Sequence, residues 1–165
     1  MLRIYTFGRC QIDLDDQIDV QFGSRKATAL LVYLACTGTS QSRDQLAELL
    51  WEERWPAQAQ SNLRTVLARL SKQVEAYLDV TRYSVGLQTD APLWVDGQAV
   101  GRYLEALQTE SPWPALARDW VQQALDLYQG DFLAGFYVRD CPQFETWMLQ
   151  EPERWRQTIL ETSIC

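Results

Sequence analysis

Cationic, amide and hydroxyl side chains recur along one face of QAQSNLRTVLARLSKQV, residues 58–74. At about 100° per residue in an α-helix, its leucines and valines form an apolar inner face. The opposite face, including its edges, carries no carboxylate and consists of Gln58, Ser61, Asn62, Arg64, Thr65, Ala68, Arg69 and Lys72. Side chains of these types bind base edges and phosphates in the major groove of DNA. The face therefore indicates either contact with nucleic acid or an ordinary solvated helix surface.

The charge of the rest of the chain makes this face unusual. The 165 residues include 15 Lys and Arg against 22 Asp and Glu, a net charge of −7. Residues 1–95 carry ten basic and eleven acidic side chains, whereas residues 96–165 carry five basic and eleven acidic ones. The acidic excess lies in the second half, so the first half can approach a polyanion.

Composition also excludes several classes of function. The chain contains no histidine, which removes His-based catalysis and most zinc sites. Its four cysteines are widely separated, which favours free thiols in a reducing cytosol. The longest apolar run, residues 29–36, is too short to cross a membrane, and MLRIYTFGRC lacks the apolar region of a signal peptide. We therefore expect a cytoplasmic protein that is not an enzyme and has no metal or cofactor.

The elements that position the cationic face follow from local patterns in residues 1–95. LRIYTF, CQIDL and IDVQF alternate like strands of an antiparallel meander. Apolar periods predict helices over 25–37, 42–51 and 58–74, the second capped by Ser42 and Gln45. Residues 77–89 predict a β-hairpin that turns near Arg82 and Tyr83, and LWV (93–95) predicts another strand. Three helices followed by a hairpin form a winged helix.

Residues 96–165 are predicted to be helical throughout. Asp96 and Ser111 are expected to cap two helices and Gly130 to end the second, which gives a TPR-like helical hairpin. A last helix is expected to be interrupted near Pro152. The apolar side chains predicted to form the core here are Trp113, Trp120, Tyr128, Phe132, Phe136 and Trp147. The predicted class is α+β, with a winged-helix domain over 1–95 and an all-α domain over 96–165.

In a winged helix, cations at the amino ends of the first two helices and in the wing can also bind phosphates. Arg25 and Lys26 lie at the amino end of the first helix, and Ser42 and Arg43 at that of the second, where free amides add to the positive charge. Arg82 and Tyr83 lie at the tip of the wing, where it would meet the minor groove or the backbone. With the face of residues 58–74, these residues complete the predicted DNA-binding set.

Several segments together resemble bacterial transcriptional activators of the SARP type. They are RKATALLVYLACTG, SRDQLAELLW, QSNLRTVLARL, WVD, ALDLYQGDFLAGF and FETW. In that family an OmpR-type winged helix precedes a helical bacterial transcriptional activator domain. The resemblance implies binding to promoter DNA, often as two copies on direct repeats, and recruitment of RNA polymerase holoenzyme. Glu52, Glu53 and Arg54 match the loop that contacts the polymerase in OmpR-type regulators.

The sequence departs from this family in two places. Ser71 stands where such proteins commonly have an arginine, which makes the cationic face lighter. Family activator domains continue through further helices, so we expect this chain to be a fragment or a truncated variant. The alternative function is a winged-helix and helical-repeat module that binds proteins and not DNA, which the net charge of −7 would suit.

Overall fold

The computed structural model describes residues 1–109 and 114–164. Within this part of the chain, strands and helices alternate as expected for the α+β class, and the winged helix is confirmed. The predicted cap Ser111 and Trp113 lie outside the described residues, as does the side chain of Trp120. In chain order the elements are β1 (Leu2–Tyr5), β2 (Gln11–Leu14), α1 (Arg25–Thr37), β3 (Gln41–Ser42), α2 (Arg43–Trp51), α3 (Pro56–Val74), β4 (Leu78–Val80), β5 (Ser84–Leu87), β6 (Leu93–Val95), α4 (Asp96–Thr109), α5 (Pro114–Leu127) and α6 (Pro142–Ile164).

The first sheet has the strand order β2-β1-β6. β1 and β2 form the predicted antiparallel hairpin, in which Ile4 lies opposite Ile12. The third strand is β6, which pairs with β1 in parallel and sets Leu2 opposite Leu93. Leu2, Ile4 and Ile12 are buried, so one face of this sheet belongs to the core.

The strand predicted over residues 18–22 is wrong, and the meander ends after β2. Asp19 adopts a left-handed backbone with φ of 56°, which a strand does not allow. Its N–H donates to the Asp13 carboxylate over 3.0 Å, and its own carboxylate pairs with Arg9. Because these local bonds hold the segment in a turn, Phe22 reaches the core without strand pairing.

Helices α1 to α3 begin where the sequence provides caps. The Ser24 hydroxyl accepts a bond from the Ala27 amide over 3.1 Å, and Ser42 accepts one from Gln45 over 3.0 Å. Pro56 occupies the first turn of α3, where its missing N–H removes no helical bond. The inner face of α3 is buried as predicted and consists of Ala59, Leu63, Val66, Leu67, Leu70 and Val74.

The wing is the second sheet, with the strand order β3-β5-β4. β4 and β5 form the predicted hairpin, and the Thr81 amide closes its turn by donating to the Ser84 carbonyl over 2.9 Å. Gln41 and Ser42 of β3 pair with the other edge of β5, which joins the wing to the start of α2.

In the second half, α4 packs against α5 as predicted for a helical hairpin. α5 ends at Leu127, three residues before the predicted stop at Gly130. The interruption predicted near Pro152 is wrong, because α6 continues through this residue. Of the predicted aromatic core, Phe132 is buried, and Tyr128, Phe136 and Trp147 pack against the same cluster.

Asp96 joins the two halves through a buried carboxylate that is 1% exposed. Its oxygens accept bonds from the Thr6 amide at 2.7 Å, the Thr6 hydroxyl at 2.7 Å and the Phe7 amide at 2.9 Å. The Gly97 amide donates to it as well, over 2.7 Å, so the side chain also binds an amide at the start of α4. A single carboxylate therefore ties the end of β1 to the start of the helical half.

A second junction lies where residues 131–134 cross the end of β1. The Gly8 amide donates to the Asp131 carbonyl and the Ala134 amide donates to the Gly8 carbonyl, each over 2.9 Å. Gly130 passes so close that a Cβ there would lie 3.3 Å from the Cα of Gly8. Phe7 and Phe132 belong to one hydrophobic cluster that spans both halves. The division into domains near residue 95 stays a prediction.

Candidate nucleic-acid interface

The outer face of α3 is open to solvent along its length. Gln58, Arg64, Thr65, Arg69 and Lys72 are exposed, whereas Ser61 and Asn62 are half-buried. Within the described part of the chain, its three cations form no ion pair. The separation of a buried apolar face from an exposed cationic face is confirmed, and the DNA-binding role of each residue stays a prediction.

Hydrogen bonds between neighbouring turns order the polar side chains of this face. The Gln58 amide nitrogen donates to the Asn62 side-chain oxygen over 2.8 Å. The Thr65 hydroxyl donates to the carbonyl of Ser61 over 3.2 Å, which leaves its oxygen able to accept a further bond. These bonds reduce the side-chain freedom that a ligand would otherwise have to remove.

Arg69 lies on the flank of the outer face and not at its centre. Its Cδ would be 4.0 Å from a Cβ built on Gly23, in the loop before α1. One turn further along α3, Gln73 donates to the Gln21 carbonyl over 3.0 Å. The loop therefore borders α3 on this side and leaves Thr65 and Lys72 more central.

The predicted cations at the amino end of α1 are engaged within the protein. The Arg25 guanidinium donates to the Tyr137 carbonyl over 2.9 Å, which links α1 to the second half. The Lys26 ammonium lies 5.1 Å from the centre of the Trp51 ring, in a cation–π contact. Binding of a phosphate by either side chain would compete with these contacts.

Arg43 connects α2 to the wing. Its side chain donates to the Thr81 carbonyl over 2.9 Å, and its amide donates to the Tyr83 carbonyl over 2.9 Å. The adjacent Asp44 accepts a bond from Gln60 of α3 over 2.7 Å. This chain of bonds runs from the wing through the start of α2 to α3, so it fixes the wing beside the helix. Arg43 therefore positions the interface in addition to carrying charge toward it.

The tip of the wing presents a cation beside an aromatic ring. Tyr83 is 75% exposed, and the Arg82 guanidinium lies 5.7 Å from the centre of its ring. The Thr81 hydroxyl accepts bonds from the amides of Tyr83 and Ser84, which order the turn. The tip can therefore reach a groove or backbone without first becoming ordered.

The turn between α2 and α3 separates its two tryptophans. Trp51 is 6% exposed and anchors the turn in the core. Glu52, Glu53 and Arg54 are exposed, as a surface that contacts a partner requires. Trp55, the N-cap residue of α3, is 85% exposed. No periodic pattern distinguishes these two tryptophans, so the sequence did not predict the exposed one.

Cys10 and Cys36 are free thiols that are partly buried. Burial, together with the nearby carboxylate of Asp96, raises the pKa of Cys10 to about 12. Burial raises the pKa of Cys36 too, and the Glu151 carboxylate adds to the effect. Thiols with raised pKa values are weak nucleophiles and weak metal ligands near neutral pH.

Residues of the second half form hydrogen bonds with helices of the winged helix, which the sequence did not predict. Besides the bond from Arg25 to Tyr137, the Cys141 thiol donates to the Leu50 carbonyl over 3.2 Å. Gln143 reaches Glu48 of α2 at 3.5 Å.

None of the described helices is long and apolar enough to cross a membrane.

The chain is similar to two known proteins, and no family model matches it. It is 31% identical over 147 residues to the regulatory protein AfsR of Streptomyces coelicolor, an alignment that covers 86% of this chain and 14% of that protein. The solved structure of Mycobacterium tuberculosis EmbR in complex with a low affinity phosphopeptide has a TM-score of 0.71 at 21% identity. That match covers 95% of this chain and 43% of the EmbR chain, and it confirms the fold. The chain thus spans less than half the length of either protein.

Proposed function

We propose that this chain is a DNA-binding regulator of transcription of the SARP type, which its 31% identity to the regulatory protein AfsR supports. Its target would be double-stranded promoter DNA in the cytoplasm. The observation that carries the proposal is the outer face of α3, which is exposed, cationic and without a carboxylate. The bonds of Arg43 and Asp44 set the wing beside this face, as binding of a helix and a wing to one duplex requires.

Within this proposal, the residues divide by the part of DNA that they contact. Gln58, Ser61, Asn62, Thr65 and Arg69 approach base edges, because they line α3 from its amino end. Lys72, further along the helix, and Arg64, on its flank, bind phosphates. Arg82 and Tyr83 contact the minor groove or the backbone beside it. The remaining phosphate contacts come from Arg25, Lys26, Ser42 and Arg43. Arg25 and Lys26 bind phosphate after leaving the Tyr137 carbonyl and the Trp51 ring.

We further propose that the protein activates transcription by contacting RNA polymerase holoenzyme. Glu52, Glu53 and Arg54 lie on the exposed turn before α3, which would remain accessible while the helix occupies a groove. Two copies would bind neighbouring direct repeats. Retention of purified polymerase holoenzyme on promoter DNA tests this, because exchanging Glu52 and Glu53 for lysine should abolish retention without reducing DNA affinity.

Selection of bound fragments from a random DNA pool tests DNA binding itself. We expect one sequence, or two copies of it in direct repeat, to be enriched. The competing function is the protein-interaction module, which the net charge of −7 and the internal contacts of Arg25 and Lys26 favour. A pool that stays random after several rounds at low salt would favour that module.

Substitutions on α3 should separate into two kinds. Thr65→Ala should cost about 1–3 kcal/mol on the selected site and little on random DNA, because a base contact carries sequence information. Lys72→Ala should weaken all duplexes alike and reduce the slope of log affinity against log salt by about one. The measurement is affinity on matched and random duplexes at several salt concentrations.

Matched controls lie outside the proposed interface. Thr89→Ala and Arg118→Ala remove the same types of side chain from other exposed positions and should change neither affinity nor slope. Melting temperatures should stay near that of the parent, since none of these residues lies in the core. Parental binding by both α3 variants would contradict the assignment and leave the face as a solvated surface.

A further inference from the structure

Trp55 is the most exposed large hydrophobic side chain in the described part of the chain. Two features fix the backbone of Trp55. It has an extended conformation, with φ of −57° and ψ of 143°, which the following Pro56 favours. Its carbonyl accepts a bond from the Ala59 amide over 2.9 Å at the first turn of α3. The fold thus buries Trp51 and presents Trp55 on a backbone that is fixed.

The surroundings of the Trp55 indole indicate what it contacts. It forms one wall of an open groove of about 570 Å³, together with Lys26, Gln58 and Asn62. Arg54 also lines this groove, and Glu53 is its one acidic residue among those described. From Gln58 and Asn62 the groove continues onto the carboxylate-free outer face of α3. An apolar wall between cations and amides suits DNA, where methyl groups lie between phosphates and polar base edges.

The Gln58–Asn62 pair narrows the choice of base. Because the Gln58 amide nitrogen donates one of its N–H groups to Asn62, the Gln58 amide keeps one N–H donor and its oxygen acceptor, while Asn62 keeps both of its N–H donors. Adenine presents the matching acceptor and donor in the major groove, whereas guanine presents two acceptors. The amide pair therefore favours an A·T base pair. A thymine adds a methyl group in the same groove.

We infer that the DNA site contains a thymine whose 5-methyl group packs on the Trp55 indole, next to an adenine bound by the Gln58–Asn62 pair. The inference rests on the proposed DNA binding and adds to it a specificity-determining residue. The contact buries a methyl group on an indole that is otherwise hydrated. It requires no rearrangement of the turn, because the ring already stands clear of the protein.

Replacing single thymines by uracil, which lacks only the methyl group, tests the contact. In the duplex obtained by selection, uracil at one thymine should weaken binding by the full chain about fourfold, the effect of one buried methyl group. Trp55→Ala should weaken binding to the thymine duplex by about tenfold. With this variant, uracil at the same thymine should have no further effect. The exposed ring supports no core, so the melting temperature should stay at the parental value.

Leu149→Ala is the matched control, because Leu149 on α6 is 75% exposed and lies outside the proposed interface. This variant should keep both the parental affinity and the fourfold preference for thymine. A fourfold preference that persists in Trp55→Ala would overturn the inference while leaving DNA binding intact. Parental DNA affinity combined with lost retention of RNA polymerase would overturn it in favour of a protein partner. A pool with no enriched sequence would instead refute the proposed function.

Discussion

Asp96→Ala should lower the free energy of unfolding by about 3–5 kcal/mol, because it removes the acceptor of four hydrogen bonds. The donors would remain inside the protein without that partner, and each unsatisfied donor costs about 1–3 kcal/mol unless water enters. One of these donors is the Gly97 amide at the start of α4. Urea unfolding followed by tryptophan fluorescence measures the difference, and the melting temperature should fall by roughly 10 °C.

Two graded variants and a surface control make this result specific. Thr6→Val removes one donor and keeps the side-chain shape, so it should cost only about 1 kcal/mol. Asp96→Asn keeps one acceptor oxygen and should fall between the two. Asp90→Ala, at an exposed position before β6, should stay within about 0.5 kcal/mol of the parent. If Asp96→Ala and Asp90→Ala unfold alike, the buried network does not hold the halves together.

Raising the salt concentration from 50 to 200 mM should weaken DNA binding on the order of a hundredfold. Arg64 and Lys72 of α3 and Arg82 of the wing are exposed cations, and Arg43 lies half-buried beside the wing. If they neutralise about four phosphates, log affinity falls with log salt at a slope near −4, because each contact releases condensed counterions. Fluorescence anisotropy of a labelled duplex, measured across this range, gives the slope.

The size of the slope distinguishes this interface from a larger or a different one. A slope of about −5 would mean that Arg25 and Lys26 also exchange their internal contacts for phosphates. A slope near zero would refute the electrostatic interface altogether.

The winged helix is predictable from the sequence because its determinants are local. Ser42 and Gln45 lie three residues apart and cap α2 without help from the rest of the chain. The leucine period that separates the two faces of α3 lies within one segment, and the hairpin turn at Thr81 to Ser84 uses neighbouring residues. Information within about twenty residues is sufficient for each of these elements.

The errors arise where side-chain bonds or packing override the repeating pattern of the segment. Alternation over 18–22 suits a strand, but the bonds from Asp19 to Asp13 and Arg9 hold it in a turn. The third strand of the sheet is β6, which pairs with the edge of β1 that β2 leaves free. No pattern near β1 identifies that partner. The prediction for α6 failed in the same way. Pro152 disfavours a helix locally, but it does not break α6, which packs against α2 and α4.

The candidate interface was predicted in part for the same reason. The outer face of α3 follows from helical periodicity alone. The internal partners of the flanking cations do not, because Arg25 binds a carbonyl 112 positions away and Lys26 lies over a ring from another helix. The exposure of Trp55 depends on how α2 and α3 meet. Composition shows only that a tryptophan is present there.

The parallel pairing of β1 with β6 has a consequence for the order of events during synthesis. About ninety residues separate Leu2 from Leu93, and ribosomes add roughly 5–20 residues per second. The first hairpin therefore waits about 5–18 s for its third strand, while a two-stranded hairpin alone is marginally stable in water. During this interval α1, α2 and α3 emerge and have local contacts to make, whereas β1 remains open to pairing with other chains. The emergence of β6 is thus the step that ends the exposure of β1 to aggregation in the nascent chain.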